Sequence, residues 1–218
     1  MKSVFQISLD QTQICKNCFK DIENVDLFTF FNKNPSLCKN CIATFEPKFY
    51  SFKVDGIKVL ALYDYDDLFK ELIYKFKGCY DYELHPIFLE QYKRELKFLY
   101  HGYKIIPAPS YKDDDRKRGF NHVIEIYKSL GLEIVEAFEK TEKFKQADHN
   151  FKDRKKIKNY IKIKETISPN SKILLVDDIY TTGSTLKTMI SLLKDSGIKT
   201  IKALVLCKTK LSEKTSNN

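Results

Sequence analysis

The chain has 218 residues, a formal net charge of +9 and a hydrophobic content of 43%. This apolar content excludes a largely disordered protein, and the length suits one sizeable α/β domain together with a small module. The positive charge favours anionic partners such as nucleotides, nucleic acid or a membrane surface, although a general enrichment in lysine explains it equally well.

The N-terminal stretch contains no apolar core of signal-peptide length. No run of the sequence approaches the roughly 18 apolar residues that a membrane-spanning helix needs. The sequence therefore predicts a cytoplasmic protein without membrane insertion, ending in a flexible tail over residues 211–218.

Two Cys-x-x-Cys pairs stand near the N-terminus: Cys15, Cys18, Cys38 and Cys41. Each pair presents two thiolates to one ion, and two pairs complete the tetrahedral shell of a zinc ribbon. Four thiolates leave no open position, so the predicted Zn²⁺ is structural. Redox or disulfide chemistry is the alternative, which a cytoplasmic compartment disfavours. Cys79 and Cys207 are predicted to be packing residues.

The rest of the chain alternates predicted strands and helices. Residues 27–31, between the cysteine pairs, form either a strand packed on the ribbon or a platform for stacked bases. Strands are predicted over residues 57–63, 103–107, 132–138, 173–176 and 201–206. Helices are predicted after Asp66, over about 84–100, after His122 and after Ser184. This alternation predicts an α/β fold with a parallel sheet flanked by helices.

A rigid turn, Ala108-Pro109-Ser110, follows the strand predicted over 103–107. In an open parallel sheet, ligand-binding loops follow the carboxyl ends of the strands. A densely charged segment comes next, and we expect it to be a loop in which Arg116 and Arg118 offer bidentate donors to a pyrophosphate or a nucleic-acid backbone. A solvated charged loop without a ligand is the alternative.

The most basic segment covers residues 143–164, where nine lysines and arginines stand against two aspartates, a net of +7. Aromatic residues are interspersed, which suits single-stranded nucleic acid through phosphate contacts and base stacking. A solvated helix and a flexible lid over the site are an equally good interpretation. The candidate nucleic-acid-binding residues are Lys152, Arg154, Lys155, Lys156 and Lys158.

The stretch from Ile173 to Thr185 carries the strongest signal. An apolar strand is followed by Asp177 and Asp178, then by a turn rich in hydroxyl groups, then by a helical pattern. A helix N-terminus suits a phosphate, and Gly183 allows close backbone approach. The two carboxylates repel phosphate and suit a ribose diol, or Mg²⁺ through water.

This stretch resembles the phosphoribosyl pyrophosphate (PRPP) loop of type I phosphoribosyltransferases. The resemblance implies that Asp177 and Asp178 contact the ribose and the metal in an enzyme of this class. It also implies that the backbone of Ala108 and Ser110, with Arg116 or Arg118, faces the pyrophosphate. The residues expected to hold the 5-phosphate are Thr181, Thr182, Gly183, Ser184 and Thr185.

The order of all these motifs resembles the ComF family of competence-associated, phosphoribosyltransferase-like proteins. The resemblance implies a zinc ribbon over residues 1–50 and a phosphoribosyltransferase-like domain over 51–210. It further implies that the protein binds Mg²⁺–PRPP and acts on single-stranded DNA during natural transformation, with a competence helicase or translocase as a candidate partner.

Some positions depart from the family pattern. His122 stands where the family usually has Gln, and Ala108 replaces a Val. Thr181 replaces the Asp that helps to deprotonate 6-oxopurines in related enzymes, so a hypoxanthine or guanine acceptor is disfavoured. Three functions stay open: an active transferase on an unidentified base, a nucleic-acid-binding protein that uses PRPP as a ligand, and a PRPP-sensing regulator.

Overall fold

A computed structural model describes residues 13–22, 35–141 and 161–210. The chain divides into two compact units, Met1–Phe45 and Glu46–Asn218. In the first unit, an isolated antiparallel bridge joins Ile14 to Asp21. Helix α1 spans Lys39–Thr44, and Cys38 is its N-terminal capping residue. The second cysteine pair therefore lies at the start of a helix, where the backbone geometry is regular.

The second unit contains a five-stranded sheet with the order β1-β2-β7-β6-β3 and a two-stranded sheet formed by β4 and β5. The strands are β1 Tyr50–Val54, β2 Ile57–Asp64, β3 Lys104–Pro107, β4 Phe138–Lys140, β5 Ile161–Ile163, β6 Lys172–Tyr180 and β7 Thr200–Lys208. The helices are α2 Asp67–Gly78, α3 Lys93–Leu99, α4 Lys112–Arg118, α5 His122–Tyr127 and α6 Ser184–Asp195. Strands β2, β7, β6 and β3 are parallel.

Strand β1 is antiparallel and lies at the edge of the sheet. It was not predicted from the sequence. Asp55 and Gly56 join it to β2 and both have a positive φ, of 49° and 81°. Two left-handed residues between paired strands form the tight hairpin that matches the twist of a sheet.

Strand β6 is buried on both faces. Ile173 and Leu175 belong to a core cluster with Met189 and Ile190 of α6. Leu174, whose side chain points to the opposite face, is equally buried. A parallel strand covered on both sides has an almost continuous apolar sequence, which is why this strand is readily predicted.

Besides the unpredicted strands β1 and β5, three segments differ clearly from the predicted elements. The helix expected over about 84–100 is shorter: 3₁₀ segments at Tyr82–Phe88 and Glu90–Tyr92 precede α3, because Pro86 lacks the N–H that an α-helix requires. The charged segment expected to be a loop is helix α4. Its three aspartates occupy the first turn and three of its basic residues, Arg116, Lys117 and Arg118, the last turn, which matches the helix dipole.

The third difference concerns the strand predicted over 132–138. Only Ile134 forms a bridge there, parallel to Ile105 of β3. The paired strand begins at Phe138 and runs antiparallel to β5. The apolar residues of this segment extend the sheet edge locally instead of forming a full strand.

Among the residues that the structure describes, no helix has the length and apolar character needed to cross a lipid bilayer. This finding agrees with the absence of a long apolar run in the sequence.

Candidate functional site

Asp177 and Asp178 are among the last four residues of β6. The sequence predicts them directly after the strand, so the strand is longer than predicted. Asp177 is in register with Val205 of β7. The Asp178 carboxylate is buried, and its Oδ1 accepts a hydrogen bond of 2.8 Å from the Ile179 N–H. The Asp177 Oδ1 accepts from the Asp178 N–H at 2.9 Å. Both carboxylates are therefore fixed to the strand that carries them.

Two side chains from distant parts of the sequence contact Asp178. Lys77 Nζ, near the end of α2, lies 3.1 Å from Asp178 Oδ2. His122 Nε2, at the start of α5, lies 3.3 Å from the same oxygen. Burial alone would raise the pKa of Asp178, but the His122 hydrogen bond and the Lys77 charge outweigh it and hold this pKa well below its usual range.

Asp177 has the opposite electrostatic environment. Burial, and then the negative charge of Asp178, raise the pKa of Asp177 to about 8. The environment therefore favours ionisation of Asp178 over ionisation of Asp177. Carboxylate oxygens accept hydrogen bonds from hydroxyl groups, which suits a sugar diol.

The backbone behind the acidic pair is held by Tyr127 of α5. Its hydroxyl donates to the Asp177 carbonyl oxygen at 2.9 Å and lies 3.3 Å from the Leu204 carbonyl oxygen. Its ring is fully buried. Tyr127 thus links β6 and β7 at the level of the site.

The turn after β6 requires glycine. Gly183 has a φ of 70°, and a Cβ atom there would come within 2.6 Å of the Tyr180 ring. Helix α6 begins at the next residue, with the Lys187 N–H donating to the Gly183 carbonyl oxygen at 2.8 Å. Thr181 and Thr182 are exposed, Ser184 and Thr185 are partly exposed, and Thr182 Oγ1 lies 2.8 Å from Ser184 Oγ. Hydroxyl groups and a helix N-terminus together suit an anion.

The turn after β3 is tied to β6. The Ala108 N–H donates to the Val176 carbonyl oxygen at 2.8 Å, so Ala108 continues the strand pairing. The Ser110 hydroxyl donates to Asp115 and accepts from Asn121 Nδ2 at 3.0 Å. The Asn121 Oδ1 caps α5 by accepting from the backbone of Val123 and Ile124.

The two arginines of α4 differ in exposure. The Arg116 side chain is 78% exposed and lies 3.5 Å from Asp113, so its guanidinium is accessible to a ligand. The Arg118 side chain is only 6% exposed and lies 3.0 Å from Asp115 Oδ1. Arg118 also donates to the Lys77 carbonyl oxygen at 3.0 Å. Binding of pyrophosphate by either residue stays a prediction, and Arg118 already organises the site in this structure.

A cleft of about 510 Å³ lies between α4 and β4. Its lining residues are Tyr111, Lys112, Asp113, Arg116, Glu139, Lys140 and Thr141. The Lys140 ammonium is 5.2 Å from the centre of the Tyr111 ring. Burial lowers the pKa of Lys140, and the charge of Asp177 partly opposes this effect. Sequence reasoning missed Lys140, Lys77 and the role of His122, because their neighbours are far away in the chain.

The four N-terminal cysteines meet in space. Their sulfur atoms all lie within 4.8 Å of one another, and Cys18 Sγ is 3.6 Å from Cys38 Sγ. A tetrahedral zinc–thiolate site has sulfur–sulfur separations of about 3.8 Å, so the cluster fits one such ion. Asn17 Nδ2 donates to Cys41 Sγ at 3.4 Å, which is the outer-shell support that a thiolate needs.

The predicted nucleic-acid-binding residues lie outside the described part of the chain, as do residues 27–31. They are Lys152, Arg154, Lys155, Lys156 and Lys158. Their assignment stays a prediction.

Comparison with known proteins identifies relatives of both the domain and the whole chain. The phosphoribosyl transferase domain model matches residues 124–218. "Competence protein ComFC" of Streptococcus pneumoniae is 27% identical over 94% of this chain and 91% of that protein. "Competence protein ComFC" of Bacillus subtilis is 25% identical over 63% of this chain and 58% of that protein.

A solved structure of a hypoxanthine phosphoribosyltransferase from Staphylococcus aureus is 15% identical, with a TM-score of 0.36 over 57% of this chain and 65% of that chain. At this TM-score the likeness adds nothing to the assignment.

The domain match, the mostly parallel sheet and the cysteine cluster define the class: a phosphoribosyltransferase fold with an N-terminal Cys₄ cluster of zinc-ribbon type. The predicted fold class is confirmed. The two curated relatives and the domain match support a ComFC-type family for this chain, in agreement with the resemblance predicted from its motifs.

Proposed function

We propose that this protein binds PRPP together with Mg²⁺ at the carboxyl edge of its sheet, and that it acts on single-stranded DNA during natural transformation. The observation that carries the first part is the pairing of a held, ionised Asp178 with the Gly183 turn at the start of α6. The acidic pair suits the ribose hydroxyls, and the turn suits the 5-phosphate.

The predicted Mg²⁺ fits this donor set, because carboxylate oxygens are the ligands that hard cations prefer. Asp177 and Asp178 would hold the ion, directly or through water. When bound, the ion neutralises charge on the pyrophosphate. The exposed guanidinium of Arg116 and the ammonium of Lys77, whose side chain is 42% exposed, add positive charge near the same anion.

Calorimetric titration with Mg²⁺–PRPP tests this proposal. We expect the wild type to bind, and the double variant Asp177→Ala/Asp178→Ala to show no measurable binding. Asp195→Ala is the matched control, because it removes an exposed carboxylate from the far end of α6. Equal affinity of the double variant and the wild type, or no binding by the wild type, would contradict the proposal.

The second part of the proposal rests on the basic segment and on the relatives. Both named relatives are competence proteins. Residues 143–164 have a net charge of +7, which favours a nucleic-acid backbone. Within this proposal the protein is cytoplasmic, and a competence helicase or translocase is a candidate partner.

An electrophoretic mobility assay with single-stranded DNA tests the second part. We expect Lys155→Ala/Lys156→Ala to weaken binding several-fold and to reduce its salt dependence. The control variant Lys172→Ala/Lys199→Ala removes the same charge from exposed positions outside the segment. If both double variants lose the same affinity, net charge and not this segment governs binding.

Turnover is a second candidate function, favoured by the cleft next to α4. A nitrogen nucleophile would displace pyrophosphate at C1 of the ribose, and such a reaction depends on positioning and exclusion of water. Pyrophosphate release in the presence of bases or single-stranded DNA distinguishes it from binding alone. A protein that binds PRPP without turnover or DNA binding would instead be a PRPP-sensing regulator.

We also propose that Zn²⁺ occupies the four thiolates as a structural ion. In this proposal the zinc-ribbon module covers residues 1–50 and the phosphoribosyltransferase-like domain covers 51–210. Metal analysis of the purified protein, with and without Cys38→Ser, tests the ion and its ligands.

A further inference from the structure

The most constrained side chain of the site is His122. It is the first residue of α5, it is 5% exposed, and both ring nitrogens have a partner. Nδ1 lies 3.0 Å from Arg118 Nη1, and Nε2 lies 3.3 Å from Asp178 Oδ2. A single imidazole therefore bridges helix α4 and strand β6.

The partners decide where the proton of this ring lies. An arginine nitrogen only donates hydrogen bonds, so the Nδ1 atom of His122 must accept. Both carboxyl oxygens of Asp178 accept hydrogen bonds, Oδ1 from the Ile179 N–H and Oδ2 from Lys77, so the Nε2 atom that faces Oδ2 must carry the hydrogen. His122 is consequently a neutral imidazole in the Nε2–H form. Its Nδ1 atom accepts a hydrogen bond from Arg118, and its Nε2–H donates one to Asp178.

Arg118 is itself immobilised, which makes the bridge rigid. Its guanidinium contacts Asp115 Oδ1 at 3.0 Å and the Lys77 carbonyl oxygen at 3.0 Å. The next residues of the chain reinforce this: the Phe120 ring stacks on Phe76, with centroids 5.1 Å apart. The orientation of His122 thus follows from a packed, hydrogen-bonded segment and not from its own rotamer preference.

Three hydrogen-bond donors contact the carboxylate of Asp178. Oδ1 accepts from the Ile179 N–H, and Oδ2 accepts from both Lys77 and His122. The Lys77 side chain is exposed to 42%, so a ligand or solvent can compete for it, whereas His122 is buried. We therefore expect the His122 contact with Asp178 to persist when a ligand enters the site.

We propose that His122 is a positioning residue that holds the Asp178 carboxylate in its ligand-binding orientation, through an Nε2–H donor aligned by Arg118. This inference rests on the proposed function in one respect, namely that the ligand at Asp178 is the ribose of PRPP. His122 does not contact the reacting atoms in this role. It acts through Asp178.

Three substitutions separate hydrogen-bond polarity from side-chain volume. His122→Gln offers an amide oxygen to Arg118 and an amide N–H to Asp178, so it keeps the polarity. His122→Leu keeps apolar volume and removes both hydrogen bonds. His122→Glu places acceptors towards both partners and reverses the polarity at Asp178. A merely space-filling role for His122 would leave the leucine variant as functional as the glutamine variant.

We expect His122→Gln to bind Mg²⁺–PRPP within about threefold of the wild type, and His122→Leu and His122→Glu to bind at least tenfold more weakly. Thermal unfolding checks that each variant folds cooperatively. Equal binding by the glutamine and leucine variants would overturn the proposal, as would equal loss in all three variants.

A second measurement needs no PRPP. Long-range ¹H–¹⁵N correlation spectra of the histidine rings report the tautomer, and the His122 signals are those that disappear in His122→Gln. We expect a neutral ring with its hydrogen on Nε2, and an Asp178 carboxylate ¹³C shift that changes in the leucine variant but not in the glutamine variant. A hydrogen on Nδ1 would overturn the positioning role. If the tautomer is as expected and the wild type does not bind PRPP, the positioning role stands and the proposed function fails.

Discussion

The two units of this protein hold their chemical groups in place by different means. In the first unit, four thiols converge within 4.8 Å, and few apolar residues are buried among its described residues: Ile22, Leu37 and Phe45 accompany the cysteines. In the second unit, Asp178 lies on β6, in which residues 173–176 are fully buried, and it is contacted by the Ile179 N–H, Lys77 and His122. A small module depends on its ligand for order, whereas a large core orders a site before any ligand arrives.

The largest expected effect is the loss of structure in the first unit when the proposed zinc ion is removed. A structural zinc ion typically supplies roughly 10–16 kcal/mol of binding free energy, which a module of this size cannot replace. We expect chelation, or Cys38→Ser, to abolish the dispersed NMR signals of the residues around the cysteine cluster.

The control for metal removal is Cys79→Ser, because Cys79 is exposed and lies outside the cluster. We expect this variant to keep its metal and its spectrum. A first unit that stays ordered after chelation would show that the thiols are not what holds it together.

In the second unit, we expect a substitution that leaves a cavity in the hydrophobic core to be the most destabilising change. Leu175 of β6 is fully buried within the main cluster, so Leu175→Ala should lower the free energy of unfolding by about 2–5 kcal/mol. Leu99→Ala, at a position 52% exposed, should change it by less than about 0.5 kcal/mol. Urea unfolding measures both, and zinc content should be the same in the two variants.

A smaller loss of stability is expected when alanine replaces Gly183 in the turn before α6. Gly183 and Gly197 both have a positive φ, of 70° and 82°, but only at Gly183 would a Cβ meet another side chain, the Tyr180 ring. We expect Gly197→Ala to cost about 1 kcal/mol through φ alone, and Gly183→Ala to cost at least about 1 kcal/mol more. Equal costs in urea unfolding would mean that Tyr180 moves aside freely.

The last effect that we predict is a pH dependence due to Asp177. Its pKa is raised to about 8 in the folded protein, first by burial and then by the charge of Asp178, whereas an unfolded aspartate has a pKa of about 3.9. The folded protein therefore binds the additional proton. Its contribution to stability is full below a pH of about 4 and is lost as the pH rises through about 8.

Urea unfolding in buffer without added Mg²⁺, at several pH values, measures this effect. Relative to Asp177→Asn, which cannot ionise, the wild type should become progressively less stable over that range. Comparing the two proteins cancels the titration of groups distant from Asp177. Parallel pH profiles would mean that Asp177 is ionised throughout in the folded protein.

Features carried by neighbouring residues were predictable from the sequence. The cysteine spacing indicated the Cys₄ cluster, and the continuous apolar run of β6, followed by Asp177, Asp178 and Gly183, indicated the strand, the acidic pair and the turn. Helix α4 could have been predicted as well, since its acidic first turn and basic last turn form a helix signal that the density of charge obscured.

The amino-acid sequence alone predicts the local chemistry of the chain: which groups occur, in which order, and on which kind of element. The tertiary structure alone decided which groups meet. Lys77 is 101 residues from Asp178 in the chain, yet the two side chains are 3.1 Å apart. The different ionisation of Asp177 and Asp178 follows from burial and from such neighbours, because a carboxylate responds to the charges and donors around it in space and not to its place in the sequence.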